Sequence, residues 1–177
     1  KVILEKGTNR EKFIAGEVDK YSWVDIGSSF LMSEIAAAYL HAQLENAQII
    51  TETRLGYWND YRLMLQNIKD ELGLNWQNYS ARVQHNAHIN FLILPSEDFK
   101  KLFISKMRER EVACVSHYVP LHSAEAGLKF GRVESQMIVT DNFSPRLVRL
   151  PMWSRGHMPV EQITNTVITV CREIGQI

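Results

Sequence analysis

The stretch Lys20-Tyr21-Ser22-Trp23-Val24-Asp25-Ile26-Gly27-Ser28-Ser29-Phe30-Leu31-Met32-Ser33-Glu34 carries a polar, aromatic-bearing loop directly into a helical pattern. Past Glu34, the residues Ile35, Ala38, Tyr39, Ala42 and Leu44 recur near the 3.6-residue spacing of one helix face. Ser29 or Ser33 is placed to cap that helix, and Asp25 or Glu34 adds negative charge near its N-terminus. Gly27-Ser28-Ser29 also presents two hydroxyls and backbone N–H groups to an incoming anion. A helix cap and an anion site are both open readings of the same few residues.

Outward from this point the pattern is α/β. Upstream, residues 1–29 read as a helix remnant followed by a long loop rich in Gly, Lys and aromatics. Downstream, the helical pattern continues from about Leu31 to Ile68, with a break expected near Glu45–Ala47 or Leu55–Gly56. His88-Ile89-Asn90-Phe91-Leu92-Ile93-Leu94 reads as a strand stopped by Pro95, and Ser96-Glu97-Asp98 as the cap of a helix reaching about Arg110. Val112 to Ser116 is a second strand, and Arg146 to Leu150 a third after a short helix. Pro159 suits the first turn of a last helix with Ile163, Val167, Val170 and Ile174 on one face. A sheet of three or four strands backed by helices fits this order.

Composition narrows the function classes. A chain of 177 residues with 45% hydrophobic content can bury one real core. Its net charge is zero and its basic residues are dispersed, which gives no support to a nucleic-acid-binding face. No apolar run approaches the roughly 20 residues that span a bilayer, so no membrane segment is expected. Cys114 and Cys171 are far apart in sequence, and two free thiols in a reducing cytoplasm are the plain reading.

Several strings then recur in one order. They are Glu5-Lys6-Gly7-Thr8-Asn9-Arg10, Val18-Asp19-Lys20-Tyr21, Gln84-His85-Asn86-Ala87-His88, His117-Tyr118-Val119-Pro120-Leu121-His122 and Arg146-Leu147-Val148-Arg149-Leu150-Pro151. With the Gly27–Ser33 segment, this series resembles the sugar aminotransferases of the DegT/DnrJ/EryC1 family over almost the whole chain. The resemblance implies the C-terminal part of a fold-type-I aminotransferase that uses pyridoxal 5'-phosphate, with a small sheet, backing helices and a long linking helix. It assigns residues 1–46 to the end of the large cofactor-binding domain, interface loop and start of the long helix included, and residues 47–177 to the small α/β domain. The family's cofactor-bearing lysine lies upstream of the matched segment, and none of the nine lysines here stands in its context. No catalytic residue is therefore assigned within this chain, which is expected to be inactive alone.

The resemblance also implies roles. In the family, the loop before the helix reaches the cofactor phosphate of the partner subunit of a homodimer with shared active sites. Its usual form is Gly-Tyr/Phe-Asn-x-Arg, with the Asn on phosphate. Here Gly27, Ser28, Ser29, Phe30 and Leu31 stand at those positions, so Ser29 replaces the Asn and Leu31 the Arg. A serine hydroxyl can still donate to phosphate, while the charge-assisted contact of the Arg is lost. His117, Tyr118 and His122 become a wall facing the sugar or the incoming amino acid. Arg10 and Lys20 suit a nucleotide-sugar diphosphate, and Tyr21 can stack on its base.

Each role has a plainer rival. The histidines at 117 and 122 can simply tie down their loop, and with no neighbouring Asp, Glu or Cys they do not suggest a metal site. His88 reads as a core residue at a strand start. The cations and aromatics of the opening loop can be a solvated or interface loop. For the whole protein, the resemblance implies transfer of an amino group from an amino acid, with glutamate the expected donor, to a 4-keto-6-deoxy sugar nucleotide in surface-polysaccharide synthesis. The alternatives are a non-catalytic dimerisation or binding module, and a sugar dehydratase that uses the same cofactor.

Overall fold

Asn9 folds the opening segment back on the loop that follows it. Its N–H donates to the Ser22 carbonyl at 3.1 Å, its Oδ1 accepts from the Ser22 N–H at 2.7 Å, and its Nδ2 donates to the Lys20 carbonyl at 2.9 Å. A short helix, Arg10–Ile14 (α1), starts directly after it. Arg10 is thus the first residue of a helix, where the sequence reading puts it in the opening loop. The computed structural model describes residues 2–80, 82–153 and 158–176, and it divides into two compact units, Lys1–Gln48 and Ile49–Ile177.

In the first unit order is carried by the backbone. Lys6 N–H donates to the Ser28 carbonyl at 3.2 Å, Ser28 N–H to Ile3 at 3.0 Å, and Phe30 N–H to Leu4 at 3.3 Å. The Gly7 carbonyl accepts from both Val24 and Asp25 N–H groups, at 2.8 and 2.9 Å. Gly7 has φ +73°, and a Cβ there would lie 1.7 Å from the Asp25 carbonyl oxygen. A Cβ on Gly27 would lie 2.1 Å from the Gly7 nitrogen. Both contacts are with backbone, so only glycine fits at either position.

Ser33 caps the next helix, Glu34–Glu45 (α2): its Oγ accepts from the Ala36 N–H at 3.3 Å, with Glu34 in the first turn. Ser29 lies four residues upstream and does not cap it. Asp25 is spent on its own loop, accepting from the Ile26 N–H at 2.7 Å. Asn46 interrupts the helical run, and Ala47–Leu65 (α3) follows. The break thus falls at the first of the two expected places. Gly56 stays helical with nothing packed where a Cβ would stand, at a propensity cost of about 1 kcal/mol.

The second unit is built on one sheet. Asn90–Ile93 (β1) pairs antiparallel with Leu147–Leu150 (β3), which pairs antiparallel with Val115–Ser116 (β2), giving the order β1-β3-β2. The second strand is shorter than expected, because Cys114 N–H turns back to the Val112 carbonyl at 3.1 Å. Glu97–Glu109 (α4) begins at the expected cap, Ser96 Oγ accepting from Phe99 N–H at 3.0 Å. Two short helices, Glu125–Phe130 (α5) and Ile138–Phe143 (α6), lie between β2 and β3. The last helix, Val160–Gly175 (α7), has Pro159 at its N-cap position, one residue before the first turn.

The pleat puts alternate residues on opposite faces. Leu92, Val148 and Leu150 are buried with Phe103 and Met107 of α4 and with Ile163, Val167, Val170 and Ile174 of α7. Full burial of each such side chain contributes about 1.5–3 kcal/mol. Glu173 ties the two helices together, pairing with Lys106 at 3.3 Å and Arg110 at 2.6 Å. Tyr61, at the C-terminal end of α3, is buried and donates its hydroxyl to the Pro151 carbonyl at 3.0 Å. Burial pushes its phenol well above the ordinary tyrosine range, with Cys114 and Tyr57 adding to the shift. Both cysteines are buried and free, and burial pushes each thiol up to about 12, Cys171 adding to the shift at Cys114. No helix among the described residues is long and apolar enough to cross a membrane.

Candidate functional site

The residues singled out from the sequence fall into two groups, one in each unit. Gly27, Ser28, Ser29, Lys20, Tyr21 and Arg10 belong to the first. Ser28 and Ser29 are exposed, and Ser29 stands opposite Glu5 in an isolated antiparallel bridge. The expectation of free backbone N–H groups here is only partly met. Ser28 N–H is taken by Ile3 and Phe30 N–H by Leu4, so an anion at this loop meets mainly the two hydroxyls. Glu5 Oε2 is buried with no hydrogen-bond partner among the described residues. Gly27 acts through shape: without a side chain it lets the loop lie on Gly7.

The Asn9 side chain holds the backbone on either side of Tyr21, at the Lys20 carbonyl and the Ser22 N–H. Tyr21 remains 53% exposed and meets Phe13 of α1 edge to face, with ring centroids 6.1 Å apart. Arg10, at the start of α1, is exposed. An exposed guanidinium at the start of α1 and, in the loop that follows, an exposed ammonium-bearing residue and a half-exposed phenol ring therefore belong to one backbone-clamped segment.

The second group stands over the sheet face turned away from α4 and α7. Phe91, Ile93 and Leu147 of that face line a cavity of about 580 Å³ with His117, Tyr118 and residues of the α6 region. An adjoining cavity of about 550 Å³ takes in His122, with Leu121 and Pro120 shared between the two. His117 and Tyr118 have ring centroids 5.3 Å apart. Burial, and then the Arg149 guanidinium, hold the His117 imidazole below the ordinary histidine value, so it is neutral at pH 7.

His122 Nε2 lies 2.7 Å from Asp141 Oδ1. The sequence reading assigns these histidines no carboxylate partner, but α6 brings Asp141 to His122 from 19 positions away. The pair orients the ring and leaves Nδ1 for another partner. No group of three or more metal-ligating side chains forms among the described residues. Asp141 and Arg149 are the two residues that sequence reasoning did not pick out as site residues. Arg149 stands inside one of the quoted strings, but its neighbours come from other strands.

His88 does not occupy the core. It is exposed, while its neighbour Ala87 is buried, and its carbonyl accepts from Arg54 at 2.5 Å. Arg54 also donates to the Ala87 carbonyl at 3.1 Å and the Met152 carbonyl at 3.4 Å, so this segment is fixed by one guanidinium.

A sheet with antiparallel strands, helices on one face and histidine-bearing loops on the other matches known proteins. The chain belongs to the DegT/DnrJ/EryC1/StrS aminotransferase family, whose pattern matches residues 2–170. Aminotransferases of this family bind pyridoxal phosphate. Among solved structures, it is similar to the aminotransferase TlmJ from Streptoalloteichus hindustanus (TM-score 0.79, 15% identity, covering 98% of this chain and 44% of that one). It is similar also to Spr1654 from Streptococcus pneumoniae in its apo form (TM-score 0.82, 17% identity, 99% and 43%). A third is Helicobacter pylori PseC, an aminotransferase involved in pseudoaminic acid biosynthesis (TM-score 0.74, 15% identity, 97% and 45%). The chain spans less than half the length of each of these solved relatives. The fold is that of the aminotransferases, present here in part.

Proposed function

We propose that this chain forms the C-terminal portion of a pyridoxal-phosphate-dependent nucleotide-sugar aminotransferase that moves an amino group from glutamate to a 4-keto-6-deoxy sugar nucleotide. The observation that carries the reading is the family match over residues 2–170. The finer substrate rests on the strings Gln84–His88, His117–His122 and Arg146–Pro151, which resemble the transaminase that makes dTDP-4-amino-4,6-dideoxygalactose. They point to dTDP-4-keto-6-deoxyglucose as acceptor, and to surface-polysaccharide synthesis in the cytoplasm as the setting.

Pyridoxal phosphate, when bound, supplies the electron sink that amino transfer requires. The chain's own residues bind and orient. The exposed hydroxyls of Ser28 and Ser29 fit a phosphate oxygen and would donate to the cofactor of the partner subunit in a homodimer. Gly27 sets their position by lying on Gly7. Arg10 and Lys20 would pair with the diphosphate of the sugar nucleotide, and Tyr21 would stack on its base. His117, Tyr118 and His122 would face the sugar or the amino acid, with Asp141 fixing the His122 ring. No lysine of the chain is assigned the cofactor bond, so amino transfer belongs to the full-length protein.

The test is direct. Full-length protein incubated with pyridoxal phosphate, glutamate and dTDP-4-keto-6-deoxyglucose should yield an amino sugar nucleotide and 2-oxoglutarate, read by mass spectrometry. The 177-residue chain alone should yield neither. A full-length protein that forms no amino sugar from any 4-keto sugar nucleotide contradicts the function, and turnover by the chain alone contradicts the division of labour.

A further inference from the structure

Several guanidinium groups of the second unit are tied to acceptors. Arg54 is bound by three carbonyls, Arg110 by Glu173 and the Lys106 carbonyl, and Arg146 by Asn142 and the Pro95 carbonyl. Arg149 is different. Its Nε is buried with no hydrogen-bond partner among the described residues, as is that of Arg62. But Arg62 donates through Nη2 to the Gln77 carbonyl, whereas no described carboxylate or carbonyl accepts from the Arg149 guanidinium. Among the described residues its guanidinium lies over the Tyr118 ring, with Cζ 5.4 Å from the centroid. A cation over a ring gains about 0.5–1 kcal/mol and leaves the five N–H donors of arginine without acceptors.

Its position in the sheet gives the unpaired charge a destination. Arg149 pairs with Phe91 across β1 and with Val115 across β2. It therefore shares the sheet face that carries Phe91, Ile93 and Leu147, the floor of the 580 Å³ cavity. Arg149 is not part of the lining itself, but Tyr118, whose ring it meets, and His117, whose imidazole feels its charge, both line that cavity. Among the described residues no acidic side chain lines it. An apolar hollow beside an uncompensated guanidinium favours a ligand whose apolar body fills the space and whose oxyanion reaches the cation.

We propose that Arg149, over the Tyr118 ring beside the cavity on the open face of the sheet, binds an oxyanion of the substrate, a phosphate or a carboxylate. The proposal rests on the aminotransferase reading, under which both oxyanions occur: the diphosphate of the sugar nucleotide and the α-carboxylate of the amino donor. Arginine meets either in a two-pronged contact. His117, neutral at pH 7, stands by as a further donor or acceptor without adding a competing charge.

The experiment uses the full-length protein and two ligands, pyrophosphate and L-glutamate, titrated by calorimetry. Arg149→Gln should weaken one of them by roughly 10- to 100-fold, and Arg149→Lys, which keeps the charge, should lose less. Loss confined to pyrophosphate assigns the contact to the sugar nucleotide, and loss confined to glutamate assigns it to the amino donor. Unchanged affinity for both in Arg149→Gln overturns the proposal. The wild-type protein gives a reading that is independent of whether the variant folds: saturating anion should shift the His117 titration upward by offsetting the nearby guanidinium, and a His117 titration unmoved by either anion also overturns it. Amino transfer is scored separately. A working transaminase whose Arg149→Gln variant binds both anions normally refutes the role of Arg149 alone, whereas anion binding without any amino transfer refutes the function and leaves the anion site standing.

Discussion

The two units reach order by opposite means. Ile49–Ile177 holds a contiguous apolar core, with Phe103, Met107, Ile163 and Val167 fully buried. Among the described residues of Lys1–Gln48 no hydrophobic side chain is buried, and Trp23, Ile26, Ile35 and Tyr39 are each more than two-thirds exposed. The first unit is shaped by backbone hydrogen bonds, two tightly apposed glycines and the Asn9 side chain. Hydrophobic burial is the main favourable term in folding. The second unit therefore has a hydrophobic core of its own to stabilise it, and the first has backbone-fixed geometry with its apolar side chains exposed.

The largest effect that tests this contrast is in the core. Phe103→Ala should cost about 3–5 kcal/mol, read as a lowered denaturant midpoint of the full-length protein. A loss under about 1 kcal/mol would mean that the α4–α7 interface is not the main support of the second unit.

Gly27→Ala comes next. Its Cβ would lie 2.1 Å from the Gly7 nitrogen, so the two backbone segments must part. We expect about 1–3 kcal/mol of strain expressed locally, as faster amide exchange in residues 3–7 and 24–30. Exchange in β1 and β3 should stay unchanged. Equal loosening of the sheet would erase the distinction between the units.

The smallest effect concerns pH. His85 stacks on Tyr79 with centroids 4.1 Å apart, and its Nδ1 accepts from the Ala87 N–H at 3.2 Å. Burial, and then Arg62, hold its imidazole below the ordinary histidine value. The unfolded chain therefore binds the proton first, so the contribution of this site is complete above about pH 6.5 and declines as pH falls below it. Thermal stability should drop slightly between pH 7 and pH 5, and His85→Gln should remove part of that slope. A slope unchanged in the variant would place the proton uptake elsewhere.

What the sequence made legible follows from the range of each interaction. The caps at Ser33 and Ser96 and the buried stripe of α7 were readable because their partners lie three or four residues away. Ser29 was offered as a cap on equal terms with Ser33, because either serine precedes the same helical pattern. Only the bridge to Glu5 and the hydrogen bonds to Ile3 and Leu4 show that the chain is still extended at Ser29. His88 was misplaced because alternation in a strand does not say where pairing begins, and the paired strand starts only at Asn90. Asp141 beside His122 and Arg149 beside Tyr118 were out of reach for a deeper reason. Each pair is made by strand register or by a short helix returning over the sheet, and neither is encoded in local spacing.

The central claim is that the Gly27–Ser29 loop serves the cofactor, while Ser33 serves the helix. Pyridoxal phosphate titration and thermal unfolding on the same two variants of the full-length protein separate these roles. A hydrogen bond to a charged acceptor contributes about 1.5–3 kcal/mol, so Ser29→Ala should weaken cofactor binding roughly 10- to 100-fold with little change in Tm. Ser33→Ala should lower stability by about 0.5–2 kcal/mol and leave cofactor affinity nearly unchanged. Unaltered pyridoxal phosphate binding in Ser29→Ala would contradict the account.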